Sequence, residues 1–179
     1  MWPKLANAVG YQCVWLCCVV GAGSAHAWLG PLAACLFAVL MIVFGGKARS
    51  DLRMVVVAVP LGFAFDSALA ASGCLHYAQA WPSTMLAPAW IGALWLGFAL
   101  TLNHSLAFLR QKPMLSATLG LIGGPLAYFS AERGFHAVVI ATPRLPAMLM
   151  LAIGWAILVP LLFRLDKKIN SHAATGVVA

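Results

Sequence analysis

Residues 54–71 read MVVVAVPLGFAFDSALAA and contain a single charged side chain, Asp66. A predominantly apolar run of this length is typical of a helix that crosses a membrane, because about 20 residues span the hydrocarbon core. The run therefore predicts a transmembrane helix. The ionisable side chain within it is the first candidate functional residue.

The composition of the whole chain agrees with a membrane protein. Of the 179 residues, 63% are hydrophobic and only 8% are charged, whereas a soluble domain carries about 25% charged residues. A soluble enzyme, a nucleic-acid-binding domain and a disordered chain are therefore excluded. The net charge of +7 comes from short basic clusters between apolar runs. It indicates membrane topology and not a nucleic-acid partner.

Five further apolar runs accompany the first. Including it, the predicted spans are residues 5–23, 28–44, 52–71, 88–109, 113–131 and 146–163. We therefore expect an all-α membrane protein, a compact bundle of about six transmembrane helices. Residues 1–169 form the single transmembrane domain, and residues 170–179 form a disordered cytoplasmic tail. Pro60 and Pro125 lie within spans, so we expect kinks or local unwinding there.

The basic residues predict the orientation. Nine of the 11 Lys and Arg residues fall on one side of the predicted bundle, and only Arg133 and Arg144 fall on the other. The positive-inside rule then places both termini in the cytoplasm. Lys4 and the Ala25-His26-Ala27 triplet also resemble a signal peptide. The length of the first run and the polar residues within it favour a retained helix.

Asp66 is the most prominent polar residue inside a predicted span. It lies 13 residues beyond Arg53, about 20 Å along a helix. A carboxyl group at that depth is expected to be neutralised or paired with a neighbouring span, because desolvation disfavours its charged form. Proton handling or substrate contact is the functional interpretation. A hydrogen-bonded structural Asp that joins helices is the alternative, and the sequence leaves both open.

A second polar group is predicted in the cytoplasmic half of the first and fourth spans. Asn103, His104 and Ser105 precede Arg110, and Gln12 reaches a similar depth. We expect the two spans to be adjacent, with Gln12 and Asn103 facing each other or a shared cavity. An anionic lipid headgroup or acyl carboxylate is one expected ligand, and acid–base work by His104 is another. A purely structural hydrogen-bond cluster remains the alternative.

Tyr128 and Glu132 complete the candidate residues at the outer end of the fifth span. Glu132 stands beside Arg133, so an interfacial ion pair is the favoured interpretation. Glu132 and Tyr128 are four residues apart and share a helix face. The alternative is therefore an outward cavity that both of them share with Asp66. Asp66 and His104 fall in opposite leaflets, which argues against one site using both.

No cofactor or metal is predicted. The five cysteines form no CxxC pair, and the chain has no zinc-ligand spacing. A haem between helices needs two ligands at matching depth, but His26 and His76 are predicted in outer loops and His104 near the cytoplasmic side. Signatures of nucleotide-binding loops, serine hydrolases and zinc proteases are absent from the sequence as well.

Several short motifs identify a family resemblance. They are GFAFDSAL at 62–69, PAW at 88–90, LW at 94–95, TLNHSL at 101–106 and GGPLAY at 123–128, after Asn7, Gln12 and Trp15. Over residues 5–163 the chain resembles an uncharacterised family of small bacterial inner-membrane proteins, classed only as a domain of unknown function. The resemblance implies a multi-span protein of the bacterial inner membrane. It also implies a gene neighbourhood that often holds cyclopropane fatty-acyl synthases and other lipid or photooxidative-stress genes. It implies no catalytic residues.

Two classes of function remain open at this point. The first is a protein that binds membrane lipid or fatty-acyl groups or helps to modify them, as an enzyme or as a partner of a lipid-modifying membrane enzyme. The second is a small transporter or a non-catalytic scaffold. A groove open sideways to lipid, with polar groups at its inner wall, would favour the first class. A water-accessible path from one face would favour transport. The sequence leaves the oligomeric state open.

Overall fold

The fold is helical, with one very small sheet. The computed structural model describes residues 2–175, and within them the side-chain surroundings of residues 3–167. The described helices are α1 (Trp2–Gly23), α2 (Leu29–Phe44), α3 (Ala48–Ala71), α4 (Ala89–Leu102), α5 (Pro113–Phe135) and α6 (Arg144–Thr175). Two strands, β1 (Leu75–Tyr77) and β2 (Val138–Ile140), pair antiparallel. The all-α prediction is confirmed apart from this pair.

Four of the helices are long and apolar enough to cross a membrane, namely α1, α3, α5 and α6. The other two are shorter, with 16 residues in α2 and 14 in α4, or about 24 and 21 Å at 1.5 Å per residue. The orientation of the termini stays a prediction. The disordered tail at 170–179 also stays a prediction. Helix α6 continues to Thr175, and residues 176–179 lie outside the described part.

The shortest helix lies at the centre of the bundle. Ten of the 14 residues of α4 are buried, and α4 packs against α1, α2 and α3. A helix that is apolar on every side is typical of a position surrounded by other helices or by lipid, and the burial of α4 shows that other helices surround it. The elements that meet α4 therefore decide which side chains reach the interior.

The fourth predicted span is wrong at its C-terminal end. We expected a helix over 88–109, but α4 ends at Leu102, and turns lead to a short 3-10 helix at Ala107–Leu109. The amides of His104 and Leu106 both bond to the carbonyl of Thr101. Asn and Ser side chains compete with helical backbone bonds, and here they bond to other elements. Asn103 to Ser105 thus follow the helix and do not lie within it.

Of the kinks or local unwinding expected at the internal prolines, the unwinding is wrong, and the kinks stay a prediction. Helix α3 is continuous through Pro60, and α5 is continuous through Pro125. Both helices pack closely against neighbours, α3 on α4 and α5 on α6. These contacts hold the helical backbone although each proline removes one backbone hydrogen bond.

The two-stranded sheet links the loops at one end of the bundle. Leu75 pairs with Ile140, and Tyr77 pairs with Val138. The chain leaves α3 through Gly73, whose φ of +74° suits glycine. The sequence predicted only a loop over residues 72–86. The sheet matters because it places the side chain of Tyr77 in the interior, where it is 8% exposed.

Candidate functional site

Asp66 is the centre of a buried hydrogen-bonded cluster. Its side chain is fully buried. The Tyr77 hydroxyl donates to Oδ1 at 2.7 Å, and the indole Nε1–H of Trp95 donates to Oδ2 at 2.6 Å. The Tyr128 hydroxyl also bonds to Oδ1. We call these four residues the Asp66 cluster. The expectation that Asp66 bonds to a partner on a neighbouring span agrees with this geometry.

Four different elements position the members of this cluster. Asp66 lies on α3, Tyr77 on β1, Trp95 on α4 and Tyr128 on α5. A Cβ atom added at Gly62 would overlap the ring of Trp95, so glycine at this position lets the indole lie against the α3 backbone. One turn later along α3, the same indole reaches Asp66. Close helix packing at a small residue thus creates the hydrogen bond.

No cation balances Asp66 among the described residues. Its three hydrogen-bond partners are neutral, and the ion pairs in the described part of the chain all involve other acids. Burial, together with the neighbouring Tyr128 and Asp66, raises the pKa of Tyr77 well above its ordinary value. The Tyr77 phenol therefore stays a hydrogen-bond donor at neutral pH. The cluster presents a carboxyl group whose partners can donate but carry no charge.

A small cavity of about 50 Å³ borders this cluster and is lined by both Asp66 and Tyr128. It shares Tyr11, Trp15 and Trp155, among others, with a larger groove of about 630 Å³. The groove is lined by residues of α1, α4, α5 and α6, and none of its lining residues is charged. The interior at Asp66 is therefore next to a long apolar space.

The larger groove opens on the flank of the bundle. Leu119 and Leu126 on α5 line it and are 42% and 60% exposed. Gly123 also lines the groove and has open space where a side chain would be. We call this feature the lateral groove. Its polar groups are few, and Gln12 and Ser130 are the main ones besides the aromatic hydroxyl and indole groups.

A second polar cluster lies at the opposite end of α3, around Asp51. Asp51 lies 15 residues before Asp66 on α3, about 22 Å along the helix. Asn103 donates to Asp51 Oδ1 at 2.9 Å, and His104 Nε2 lies 2.8 Å from Asp51 Oδ2. The Lys47 ammonium donates to the Asn103 carbonyl at 2.6 Å. The expectation that Asp66 and His104 belong to different sites therefore holds in the structure.

Asn7, and not Gln12, connects α1 to this cluster. The Asn7 amide donates to the Leu100 carbonyl at 3.1 Å and accepts from the Ser105 hydroxyl at 2.7 Å. Asn7 is 2% exposed. Helices α1 and α4 are adjacent, as expected. The expected pairing of Gln12 with Asn103 is wrong, because Gln12 is five residues further along α1 and lines the lateral groove.

Glu132 belongs to a third polar group, near the small sheet. It accepts from the Arg144 guanidinium at 2.8 and 3.3 Å and from the Ile140 amide at 2.9 Å. Arg133 Nε lies 3.9 Å away. The predicted ion pair thus has Arg144 as its main partner, because the start of α6 passes the end of α5. Tyr128 shares a cavity with Asp66 as the alternative proposed, but Glu132 does not line it.

Sequence reasoning selected Asp66, Tyr128, Asn103 and His104 but missed several of their partners. Tyr77 lay in a predicted loop, and Asp51 lay in a basic segment that was used only for orientation. The spacing of Gly92, Trp95 and Ala99 in the sequence puts them on one face of a helix, and this spacing is the available signal for Trp95. Among the described residues no three His, Cys, Asp or Glu side chains are grouped to hold a metal ion.

Comparison with known proteins identifies a family without an assigned activity. The family described as "Protein of unknown function (DUF2878)" matches residues 4–161. That range includes every member of the Asp66 cluster and all lining residues of the lateral groove. No curated protein and no solved structure matches the chain significantly. The family therefore assigns no chemistry to this site.

Proposed function

The chain belongs to this DUF2878 family of proteins of unknown function, and from its geometry we propose that it is a polytopic membrane protein that binds the acyl chain of a membrane lipid in the lateral groove. One observation carries the proposal: an uncharged groove of about 630 Å³ opens sideways between apolar helices and ends beside a buried carboxyl group. Ligand sites have volumes of about 300–1,000 Å³, so the groove has the size of a binding site.

The position of the groove favours a ligand that arrives from the bilayer. Its rim is formed by exposed leucines on α5, which is one of the helices long enough to cross a membrane. Such a rim faces hydrocarbon if α5 is inserted, so a lipid chain enters without leaving an apolar environment. The uncharged walls disfavour an ion or a polar solute because burial of such a group would leave it without compensation.

The small cavity beside Asp66 limits the size of a group that can reach the carboxyl. Its volume of about 50 Å³ exceeds the 10–15 Å³ that one water molecule needs, but it does not hold a lipid headgroup. Asp66 and Tyr128 are placed to exchange a proton with a water molecule or one small group there. Lipid binding is therefore the function that the geometry supports best. Help in modifying the bound chain depends on a partner, and we propose a lipid-modifying membrane enzyme as that partner.

Transport has less support from the helices. Transporters place discontinuous helices at their binding sites, whereas α3 and α5 continue through Pro60 and Pro125. The charge bias of the loops supports a topology with both termini in the cytoplasm, and we propose the bacterial inner membrane as the location because the chain resembles a family of small bacterial membrane proteins. A non-catalytic scaffold would not bind lipid in the groove, so photolabelling of groove residues distinguishes a scaffold from a lipid-binding protein.

A groove-filling substitution tests the proposal. Gly123→Leu places a side chain into the groove, and Gly134→Leu is the matched control on the same helix. A Cβ atom at either glycine meets nothing within 4 Å, and Gly134 does not line the groove. The protein is reconstituted in vesicles with a lipid that carries a photoreactive acyl chain, and labelled peptides are mapped.

We expect the wild type and Gly134→Leu to be labelled at groove residues of α1 and α5, and this labelling to fall severalfold in Gly123→Leu. Equal labelling of all three proteins, spread evenly over exposed helix surfaces, would contradict acyl binding in the groove. That result would favour the scaffold.

A further inference from the structure

A second pocket lies at the end of the bundle where the basic residues cluster. It has a volume of about 440 Å³ and lies between the segment that follows Leu109, the start of α5 and the later part of α6. Arg110, Arg164 and Lys167 all line it, and we call it the basic pocket. Its walls share no residue with the lateral groove.

The chain has too few acids to neutralise this pocket. Only four Asp and Glu residues occur in the sequence, and the structure assigns a partner to each. The partners are His104 and Asn103 for Asp51, the Asp66 cluster for Asp66, Arg144 for Glu132 and Arg110 for Asp166. In the part of the chain that the structure describes, Arg164 and Lys167 form no ion pair. The pocket therefore keeps an excess of positive charge.

The third cation, Arg110, is held in a fixed position. Its guanidinium bonds to Asp166 and donates to Asn103 Oδ1 at 2.6 Å, and its Cζ lies 5.8 Å from the Phe163 ring centre. One third of its side chain stays exposed. Helix α5 begins at Pro113, which also lines the pocket, and a helix N-terminus adds partial positive charge. Arg110 is therefore in place before any ligand binds, and Arg164 and Lys167 line the same pocket.

We propose that the basic pocket binds the phosphate of an anionic phospholipid headgroup. Arg164 and Lys167 supply the unbalanced charge, and Arg110 supplies a preorganised donor. A lipid source is favoured over free phosphate because Leu109, Pro160 and Phe163 give the same pocket apolar walls. In addition, the pocket lies at an end of two helices that are long enough to cross a membrane. The proposal rests on the membrane insertion proposed above, but it does not rest on the lateral groove.

The placement differs from the headgroup site that the sequence suggested at Asn103, His104 and Ser105. The side chains of Asn103 and His104 form hydrogen bonds with Asp51, and the hydroxyl of Ser105 donates to Asn7. These three side chains therefore support the fold around the pocket. Asn103 acts on the pocket only through Arg110.

A charge-matched pair of variants tests the proposal on the full chain. Arg164→Gln with Lys167→Gln removes two exposed cations from the pocket, and Lys4→Gln with Arg49→Gln removes two exposed cations elsewhere on the chain. Binding of phosphatidylglycerol and of phosphatidylcholine with identical acyl chains is measured by native mass spectrometry of the purified protein. Inorganic phosphate is added in a separate arm.

We expect the wild type to prefer phosphatidylglycerol and the pocket variant to bind it about thirtyfold more weakly, from the usual contribution of two basic residues to anionic-lipid binding. The control variant should bind phosphatidylglycerol as tightly as the wild type, because neither Lys4 nor Arg49 lines the pocket. Equal weakening in both variants would mean diffuse surface attraction and would overturn the proposal. Displacement of the lipid by millimolar phosphate would overturn the lipid source. If the double variant does not fold, Lys167→Gln and Arg49→Gln form the matched pair, with about fivefold expected for Lys167→Gln.

Failure of this experiment is distinguishable from failure of the proposed function. Photolabelling of the lateral groove depends on residues of α1 and α5 that the basic pocket does not contain. Loss of headgroup preference with intact groove labelling would reject the pocket alone.

Discussion

The indole Nε1–H of Trp95 donates a 2.6 Å hydrogen bond to Asp66 Oδ2, while the ring of the same tryptophan lies against Gly62, one turn earlier on α3. One aromatic side chain thus packs α3 against α4 and donates a hydrogen bond to a fully buried carboxyl group. It also stacks on Trp155 of α6, with ring centres 4.7 Å apart. Helix packing and the polar site therefore depend on the same side chain.

Gly62→Ala should destabilise the protein by about 1–3 kcal/mol, the usual cost of overpacking a core. The added Cβ overlaps the Trp95 ring, so the indole must move away from Asp66. Gly92→Ala on α4 is the control, because its Cβ would meet only Phe63 at 3.7 Å, and alanine favours the helix by up to about 1 kcal/mol. Thermal unfolding in detergent compares the two. Equal melting temperatures would contradict the close approach at Gly62.

Asp66→Leu should destabilise the fold more than Asp66→Asn. Leucine leaves the Tyr77, Tyr128 and Trp95 donors unpaired, and each unpaired buried donor costs about 1–3 kcal/mol. Asparagine retains one oxygen acceptor at nearly the same volume. Chemical unfolding in detergent gives the free energy of both variants. Two variants of equal stability would show that the three donors do not depend on Asp66.

Asn7→Ala should lower the free energy of unfolding by about 1–3 kcal/mol, since a buried hydrogen-bond partner is lost. Gln12→Ala, at a more exposed position of the same helix, should change it by no more than about 0.5 kcal/mol, as is usual for surface substitutions. The reason is that Asn7 bonds to Leu100 and Ser105, whereas Gln12 is exposed. Unfolding curves of the two variants provide the measurement. The reverse order would restore the amide pairing that the sequence suggested.

The stability of the protein should fall above about pH 10 and depend in part on Tyr77. Burial, Tyr128 and Asp66 raise the pKa of folded Tyr77, so in this range the unfolded chain releases a proton that the folded protein keeps. The contribution is complete below the unfolded pKa and is lost as the pH rises towards the folded pKa. The slope is up to about 1.4 kcal/mol per pH unit. Tyr77→Phe should unfold with a shallower alkaline pH dependence. An identical slope would contradict the burial of this phenol.

The nine-to-two bias of basic residues predicts that the loop before α3 faces the cytoplasm. In a cysteine-free background, a single cysteine at Thr84, next to Ser83, should react with an impermeant reagent added to intact cells. A cysteine at Ser50 should react only after permeabilisation. Labelling of Ser50 in intact cells would reverse the topology. Protection of both positions in intact cells would mean that α3 does not cross the membrane.

Local sequence patterns predict where most of the helices lie, because apolar composition and helix formation depend on neighbouring residues in the chain. Residues 54–71 fall within α3, and the predicted first span at 5–23 falls within α1. The same local reasoning selected Asp66, since an ionisable group in an apolar run is costly unless something compensates for it. It also linked Tyr128 to Asp66 through a shared cavity, which was the alternative for that helix face.

The contacts between side chains of the site follow from the packing of distant elements. Tyr128 is 62 residues from Asp66 in the sequence, and Tyr77 reaches the same carboxyl group from a strand that exists because two distant loops pair. The end of α4 at Leu102 likewise depends on Asp51 and Asn7. Their side chains form hydrogen bonds with residues 103–105, which these residues would lose in a continuing helix. Hydrogen bonds between distant elements depend on helix packing and on buried polar groups being satisfied. Neither condition is a property of a local sequence pattern.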